Sequence, residues 1–381
     1  MAFDAVIVGA RCAGAATALL LARAGARVLV VDKGTYGADT LSTHALMRGA
    51  VVQLNRWGVL PTIVEAGTPA VHSTTFTYGD LDVTVPIEPR YGVSALYAPR
   101  RTLLDSALVD AAVSSGAEFR FRARTEGVTV DHRGRVRGIT VLAGGARRHI
   151  DAHIVVGADG MYSTIAKAVG ARRRVSGRHA TAVLYAYWTG LAGRGYHWRF
   201  RPDVSIGAIP TNNGASCVFA SVSLERFRGE IHGGTEDVYL RWIREASPTF
   251  AAELEDARQV EPVRGFGGLA GFIRRSTGPG WALVGDAGYF KDPLTAHGIT
   301  DALRDAELLS RGIIAGTDDA LAQYERTRDD LSRAMFDITD EIASFAWSDE
   351  RLQQLHRAFS AEMSREVKVI SGMEEKVLQV L

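Results

Sequence analysis

The chain has 381 residues, is 46% hydrophobic and carries a formal net charge of +1. That balance excludes a disordered chain and gives no basic surface for a nucleic-acid partner, and the length suits two domains. No uncharged apolar run approaches the ~18 residues of a membrane span, so no stable membrane insertion is expected.

An apolar run from Ala5 to Val8 meets Gly9, and Gly14 opens an alanine-rich helical stretch to about Arg23. Gly25 breaks that helix, and a second apolar run, Val28 to Val31, ends on Asp32. The pattern predicts strand, tight turn, helix and strand with an acid at the tip. The pattern is not expected to be a leader peptide, because no basic segment precedes it and Arg23 interrupts the apolar run.

Helical periodicity follows at 45–57, 101–115, 161–169, 235–246, 296–314 and 318–345, with a last stretch near 350–379. Strand patterns fall near 73–79, 81–86, 125–131, 135–142, 147–156, 181–190, 203–209, 215–224 and 281–285. Asp131 to Gly134 reads as a hairpin turn.

This order predicts an α/β protein. A discontinuous Rossmann-like domain is expected over 1–72, 98–170 and 275–335. A β-sheet substrate domain over 73–97 and 171–274 is inserted into it, and 336–381 forms a C-terminal helical tail.

The opening unit points to chemistry. Its turn aims backbone N–H groups and the positive end of a helix at one spot, which suits a pyrophosphate. An acid at the tip of the second strand suits ribose hydroxyls. An ordinary buried strand–helix–strand unit has no need of Gly9, Gly14 and Asp32 at these spacings. One departure stands out: Arg11 occupies the place where G-x-G-x-x-G has its second glycine. The segment Gly265-Phe-Gly267-Gly-Leu-Ala-Gly271 mimics a second fingerprint, but no apolar strand precedes it and no helix follows, so it reads as a connection.

Two later motifs complete a pattern. One is Gly157-Ala-Asp159-Gly160, followed by Ser163. The other runs from Trp281 through Gly285-Asp286, Phe290-Lys-Asp292-Pro293 and His297-Gly298. With the opening unit they resemble the three signatures of the FAD-dependent monooxygenase superfamily, which includes aromatic hydroxylases, geranylgeranyl reductase-like enzymes and flavin halogenases. The resemblance covers about residues 1–315.

It implies that Gly9 to Gly14, with Arg11 and Ala13, hold the FAD pyrophosphate, and that Asp32 and Lys33 lie at the adenosine ribose. Arg101 would reach the phosphate and ribityl side. Asp159 and Gly160 would brace the cofactor site, and Asp286, beside Gly285, would bond the ribityl chain. Pro293, His297, Gly298 and Ile299 would face the flavin ring, and Val128 completes the cofactor contacts. The implied reaction is hydroxylation or epoxidation of a bulky electron-rich aromatic or polyketide-like molecule through a flavin C4a-hydroperoxide. NAD(P)H is the transient reductant and O2 the oxidant, in a cytoplasmic enzyme of secondary metabolism.

Thr295, Thr300 and Lys167 stand where aromatic hydroxylases more often have glycine, asparagine and arginine. The implied alternatives are a flavin-dependent reductase of isoprenoid double bonds and, further off, a halogenase or a non-catalytic prenyl carrier. Halogenation is disfavoured, since no lysine lies between Lys33 and Lys167 and Tyr185-Ala-Tyr-Trp188 is not W-x-W-x-I-P. Intact ribityl and fingerprint positions argue against the carrier.

His44 and His297 fall in segments expected to face the cofactor and are the candidate catalytic residues. Tyr185, Tyr187, Trp188, Phe266 and Phe272 are candidates for an aromatic pocket. No histidine–carboxylate group has metal-ligand spacing, so no metal is expected. Cys12 and Cys217 form no C-x-x-C pair and are expected to be buried thiols.

Overall fold

In the computed structural model of the chain, residues 2–193 and 195–373 are described. The first sheet runs in the order Thr277–Gly278, Trp281–Leu283, Ala146–Gly157, Phe3–Val8, Val28–Val31, Glu118–Arg120. From Trp281–Leu283 to Glu118–Arg120 the neighbours are parallel. Helix Cys12–Arg23 covers one face, and apart from Ala13 its alanines and leucines are buried almost completely. Its small residues let it lie close to helices Arg101–Ser114 and Gly298–Ala315.

The twelve-residue strand Ala146–Gly157 changes partners along its length. Its first half pairs antiparallel with Val136–Ala143, and its second half pairs parallel with Phe3–Val8. The sequence changes accordingly. Polar residues alternate with buried ones before Ile154, and a continuous apolar run follows, as a strand covered on both faces requires. The turn expected at Asp131–Gly134 joins Ala123–Val130 to Val136–Ala143, with the Asp131 carboxylate accepting from the Arg133 and Arg135 amides.

The second sheet has the order Arg258–Gln259, Thr181–Thr189, Ala215–Ser223, Val204–Pro210, Tyr196–Arg201, Ser73–Tyr78, Leu81–Pro86. Strand Thr181–Thr189 separates its faces with period two. Leu184, Ala186 and Trp188 pack with Tyr239 and Trp242 of helix Thr235–Ala246, while Val183, Tyr185 and Tyr187 join the core shared with the first sheet's helices.

Several elements were not expected. Glu118–Arg120 is short and two of its three residues are charged, so pattern alone does not reveal it. Tyr196–Arg201 does alternate, with Tyr196, Trp198 and Phe200 buried, a signal the sequence reading left unused. Arg173–Ser176 and the short helices Leu60–Glu65, Leu224–Glu230 and Pro248–Glu255 are also additions.

At the C-terminal end, helices Asp318–Ile342 and Asp349–Ser371 follow Gly298–Ala315. The second of them folds back on the body, packs on helix Arg48–Arg56 and buries Glu366 and Ile370 completely. The end of the helix expected to reach 379 lies outside the described residues. Among the described residues, no helix is long and apolar enough to cross a membrane.

Candidate active site

A cavity of about 940 Å³ opens between the two sheets. One end is formed by the Gly9–Ala13 turn, Asp32 and Lys33, residues Ala123–Glu126, and the Ala158–Tyr162 loop. The middle is lined by Arg101, Asp286, Pro293, Gly298 and Ile299. The far end is lined by Ser42–Ala45, Val183, Tyr185, Phe266 and Phe290.

The turn is held open by shape. Gly9 has φ +109°, and a Cβ there would sit 2.3 Å from the Ala158 carbonyl oxygen. A Cβ on Gly14 would sit 1.9 Å from the Gly9 oxygen. Only glycine permits this approach of turn, helix and neighbouring strand. Gly14 therefore acts behind the cavity wall. So does Gly285, whose Cβ would press within 2.9 Å of the Ala13 methyl.

Arg11 forms no side-chain cap on its helix. It swings laterally, donating from Nη2 to the Asp39 carbonyl at 3.3 Å. The Cys12 amide is instead held by Asp105 of helix Arg101–Ser114, at 3.1 Å. Asp105 also carries the Arg101 guanidinium, at 2.9 Å. Sequence reading missed this aspartate; its signal was the i,i+4 spacing from Arg101. Burial pushes the thiols of Cys12 and Cys217 up, and both stay inert.

Three motif acids do structural work. Asp32 accepts the Ala10 amide at 2.7 Å and the Gly34 amide at 2.6 Å, which leaves further lone pairs for a ribose. Asp159 accepts from the Thr164 amide at 2.6 Å and from Ser163 Oγ, ahead of the short helix Thr164–Ala168. Asp292 accepts both the amide and the hydroxyl of Thr181 at 2.7 Å, tying the second sheet to the Pro293 turn.

Asp286 differs from these. It lines the cavity, and no hydrogen bond to it forms among the described residues. Burial, reinforced by the charge of Asp301, pushes its carboxyl up to about 6.

Besides Gly14 and Gly285, two further expected cofactor contacts are corrected. Val128 lies outside the cavity lining and packs with the Phe3–Val155 core, while Ala123 to Glu126 of the same strand reach the cavity. His297 is fully buried behind the wall. Its Nε2 lies 3.0 Å from Glu366, and its Nδ1 lies 3.3 Å from both Asp301 and Lys291. Burial is the largest influence and lowers the His297 pKa, but the charges of Glu366 and Asp301 together with the Asp301 hydrogen bond outweigh it, and the net direction is up. Arg304 binds Asp301 at 2.9 Å and Glu366 at 2.7 Å, and Lys291 binds Asp301 closely.

His297, Asp301 and Glu366 do place three ligand atoms within 4.8 Å, which corrects the sequence reading. Glu366 is too distant in sequence for spacing to reveal it. With Lys291 and Arg304 already on the carboxylates, the group is an ion-pair network. Lys291 itself lines the cavity, a lysine that the Asp292-Pro293 motif had hidden.

His44 lines the cavity and is 1% exposed. Its ring stacks on Tyr187 at 5.5 Å, with Nε2 against the Tyr187 hydroxyl. Burial, followed by the positive charges of Arg101 and Arg100, lowers its pKa to about 3. The ring is neutral at ordinary pH and acts through hydrogen bonding. The aromatic candidates divide. Tyr185 and Phe266 line the cavity, whereas Tyr187 stands one layer behind. Trp188 faces the opposite side and donates to Tyr239, and Phe272 packs under Phe290.

The donor set fits a flavin dinucleotide. First-turn amides lie at one end, a guanidinium and a free carboxylate at the middle, and the Gly298–Ala315 helix starts beside them with no side-chain cap. A match to the FAD binding domain family spans residues 2–339. Digeranylgeranylglycerophospholipid reductase 1 of Methanopyrus kandleri is 25% identical, over 99% of each chain. In fold, the chain is similar to a triple mutant of the flavin-dependent brominase Bmp2, with TM-score 0.83, 16% identity and coverage of 98% and 96%. It is also similar in fold to PqsL, a probable FAD-dependent monooxygenase of Pseudomonas aeruginosa, with TM-score 0.76, 18% identity and coverage of 96% and 100%.

Proposed function

This chain belongs to the FAD binding domain family, and on that premise we propose that it is an FAD-dependent monooxygenase acting on an electron-rich aromatic or polyketide-like molecule. The observation that carries the reading is the far end of the cavity. Val183, Tyr185, Phe266 and Phe290 form a compact aromatic pocket next to the Pro293–Ile299 turn. A cavity of about 940 Å³ shared with a dinucleotide leaves room for a compact planar substrate rather than a long chain.

FAD, when bound, accepts hydride from a nicotinamide and activates dioxygen. The protein's part is binding and exclusion. The Gly9–Ala13 turn and Arg101 take the phosphates, and Asp286 accepts ribityl hydroxyls. The positive end of the Gly298–Ala315 helix favours negative charge on the ring beside it. The aromatic walls orient the substrate and keep water from the reacting atoms.

A second reading, reduction of isoprenoid double bonds, is favoured by the end-to-end alignment with the Methanopyrus reductase. One experiment separates them. FAD-loaded protein is incubated with NADPH or NADH and a panel of phenols, polyketides and prenyl lipids, under labelled O2 and under nitrogen. Labelled oxygen in a phenolic or polyketide product is the expected result. Double-bond saturation under nitrogen would establish the second reading instead.

A further inference from the structure

Helix Asp349–Ser371 lies beyond residues 2–339, the span of the family match, yet it sends a charge into the wall behind the cavity. Glu366 on that helix is fully buried, and so is its neighbour His297, the residue directly before Gly298. Gly298 lines the cavity and opens helix Gly298–Ala315. The C-terminal helix has a built seat. A Cβ on Gly49 would sit 3.0 Å from Ile370 and 3.1 Å from Thr300, so glycine lets helix Arg48–Arg56 meet both helices closely. Arg56 caps the seated end, with Nη1 donating to the Ile370 and Met373 carbonyls at 2.8 and 3.1 Å.

The charge of His297 follows from what its ring faces. Nε2 lies 3.0 Å from one carboxylate, Glu366, and Nδ1 lies 3.3 Å from another, Asp301. A carboxylate offers only lone pairs, so each ring nitrogen needs its hydrogen. Nε2 and the Glu366 oxygen do not align as a hydrogen bond, so their attraction is one of charge. Lys291 also stands 3.3 Å from Nδ1, but its ammonium is committed to Asp301. With His297 charged, Lys291, His297 and Arg304 balance Asp301, Asp305 and Glu366. A neutral ring would leave one carboxylate in excess where water does not reach. The upward direction of the His297 pKa agrees with this count.

We propose that Glu366 is a positioning residue that holds His297 as an imidazolium at the start of helix Gly298–Ala315 and so eases reduction of the flavin. The positive charge adds to that of the helix terminus and favours the negative charge that the ring gains when it is reduced. The ion pair is oriented. Its imidazolium belongs to the residue next to Gly298, whereas its carboxylate comes from a helix that contributes nothing to the cavity lining. The positive end is therefore the nearer one. The inference rests on the reading that the flavin ring lies beside this helix start, and FAD titration of the wild type tests that reading on its own.

The test reads the redox equilibrium of bound FAD, not turnover. FAD-loaded wild type and Glu366→Gln are each equilibrated with an indicator dye of known potential, and absorption spectra give the reduced and oxidised fractions. Glutamine keeps the shape: its carbonyl accepts from Arg304, and its amide donates to a neutral His297 Nε2. At a fixed dye ratio, the ratio of reduced to oxidised FAD should fall about threefold to tenfold, the worth of one charge at a helix N-terminus. Glu366→Asp keeps the charge and should recover part of the wild-type ratio. Should the glutamine variant not fold, His297→Gln removes the same positive charge and should lower the ratio by a similar factor. A folded variant with the wild-type ratio overturns the proposal. So does a ratio that rises, which would mean that the flavin senses the Glu366 charge directly. An equal fall in Glu366→Asp and Glu366→Gln overturns it too, because packing and not charge would then be the cause.

Discussion

Replacing Asp286 by asparagine should make the FAD-stripped protein more stable and bind FAD less tightly. The carboxylate lies on the cavity wall with no hydrogen-bond donor among the described residues. Burial and the Asp301 charge hold its pKa up, from 3.8 to about 6. At about 1.4 kcal/mol per pH unit, that difference is about 3 kcal/mol against the folded state. The residue is only half-buried because it opens onto the cavity, so solvent screening reduces the figure to about 1–2 kcal/mol. The sign sets the pH window. Above about 6 the folded carboxylate is charged and the whole penalty applies. As pH falls from about 6 toward 3.8 the folded protein takes up its proton before the unfolded chain does, and the penalty disappears. Urea unfolding of the FAD-free protein should therefore show Asp286→Asn ahead of wild type by about 1–2 kcal/mol at pH 8 and level with it near pH 4. FAD titration should show affinity weakened by about one to two orders of magnitude, the loss of a charged hydrogen bond to the ribityl chain. A variant no more stable than wild type at pH 8, or equally stabilised at both pH values, would refute the electrostatic account. Unchanged FAD affinity would remove Asp286 from the ribityl contact.

Arg11→Gly restores the glycine fingerprint and gives up only the 3.3 Å contact with the Asp39 carbonyl, so FAD should stay bound with a change in affinity of less than about tenfold. Titration of a folded variant that no longer retains FAD would make Arg11 a principal anchor. Asp292→Ala strands the Thr181 amide and hydroxyl, a loss partly offset by relief of the buried carboxylate's own desolvation, and should lower unfolding free energy by about 1–3 kcal/mol, read as a lower urea midpoint at constant slope. Halide, reduced flavin and phenols should yield no halogenated product by mass spectrometry. Of the two lysines on the cavity wall, Lys33 sits at the Asp32 end and Lys291 is committed to Asp301.

The parts of the fold that could be read in advance are those where one local pattern decides. Ala5–Val8, Gly9 and Val28–Val31 define a strand–turn–helix–strand unit without help from elsewhere in the chain. Helix Thr235–Ala246 fell on its expected residues because its apolar face has helical spacing. Strand Glu118–Arg120 is different. Its charges hide it, and it exists because Val28–Val31 presents an open edge. The pairing of His44 with Tyr187 likewise joins residues 143 apart, and no spacing rule reaches that far. His297 illustrates the opposite error. Its motif position at the helix start was right, but the side chain turned inward to Glu366, a residue on the helix that folds back from the far end of the chain.

The acids show why a motif position does not settle a residue's role. Asp32, Asp159 and Asp292 all occupy signature positions, yet each spends its carboxylate on amides or hydroxyls of the protein itself. Their work is to fix the turn, the Thr164–Ala168 helix and the link to Thr181. These contacts shape the cavity and do not depend on anything inside it. Asp286 has the same sequence credentials and the opposite environment, with its carboxylate facing the cavity and no donor supplied by the chain. A polar group left without a partner in a built site costs stability, and the fold retains it where a ligand later supplies the missing bond. His44 Nδ1 also lacks a partner, but it is shut away within the wall at the far end, whereas Asp286 stays partly open to the middle of the cavity. Of the two unpartnered groups, Asp286 is therefore the one that a bound molecule can reach.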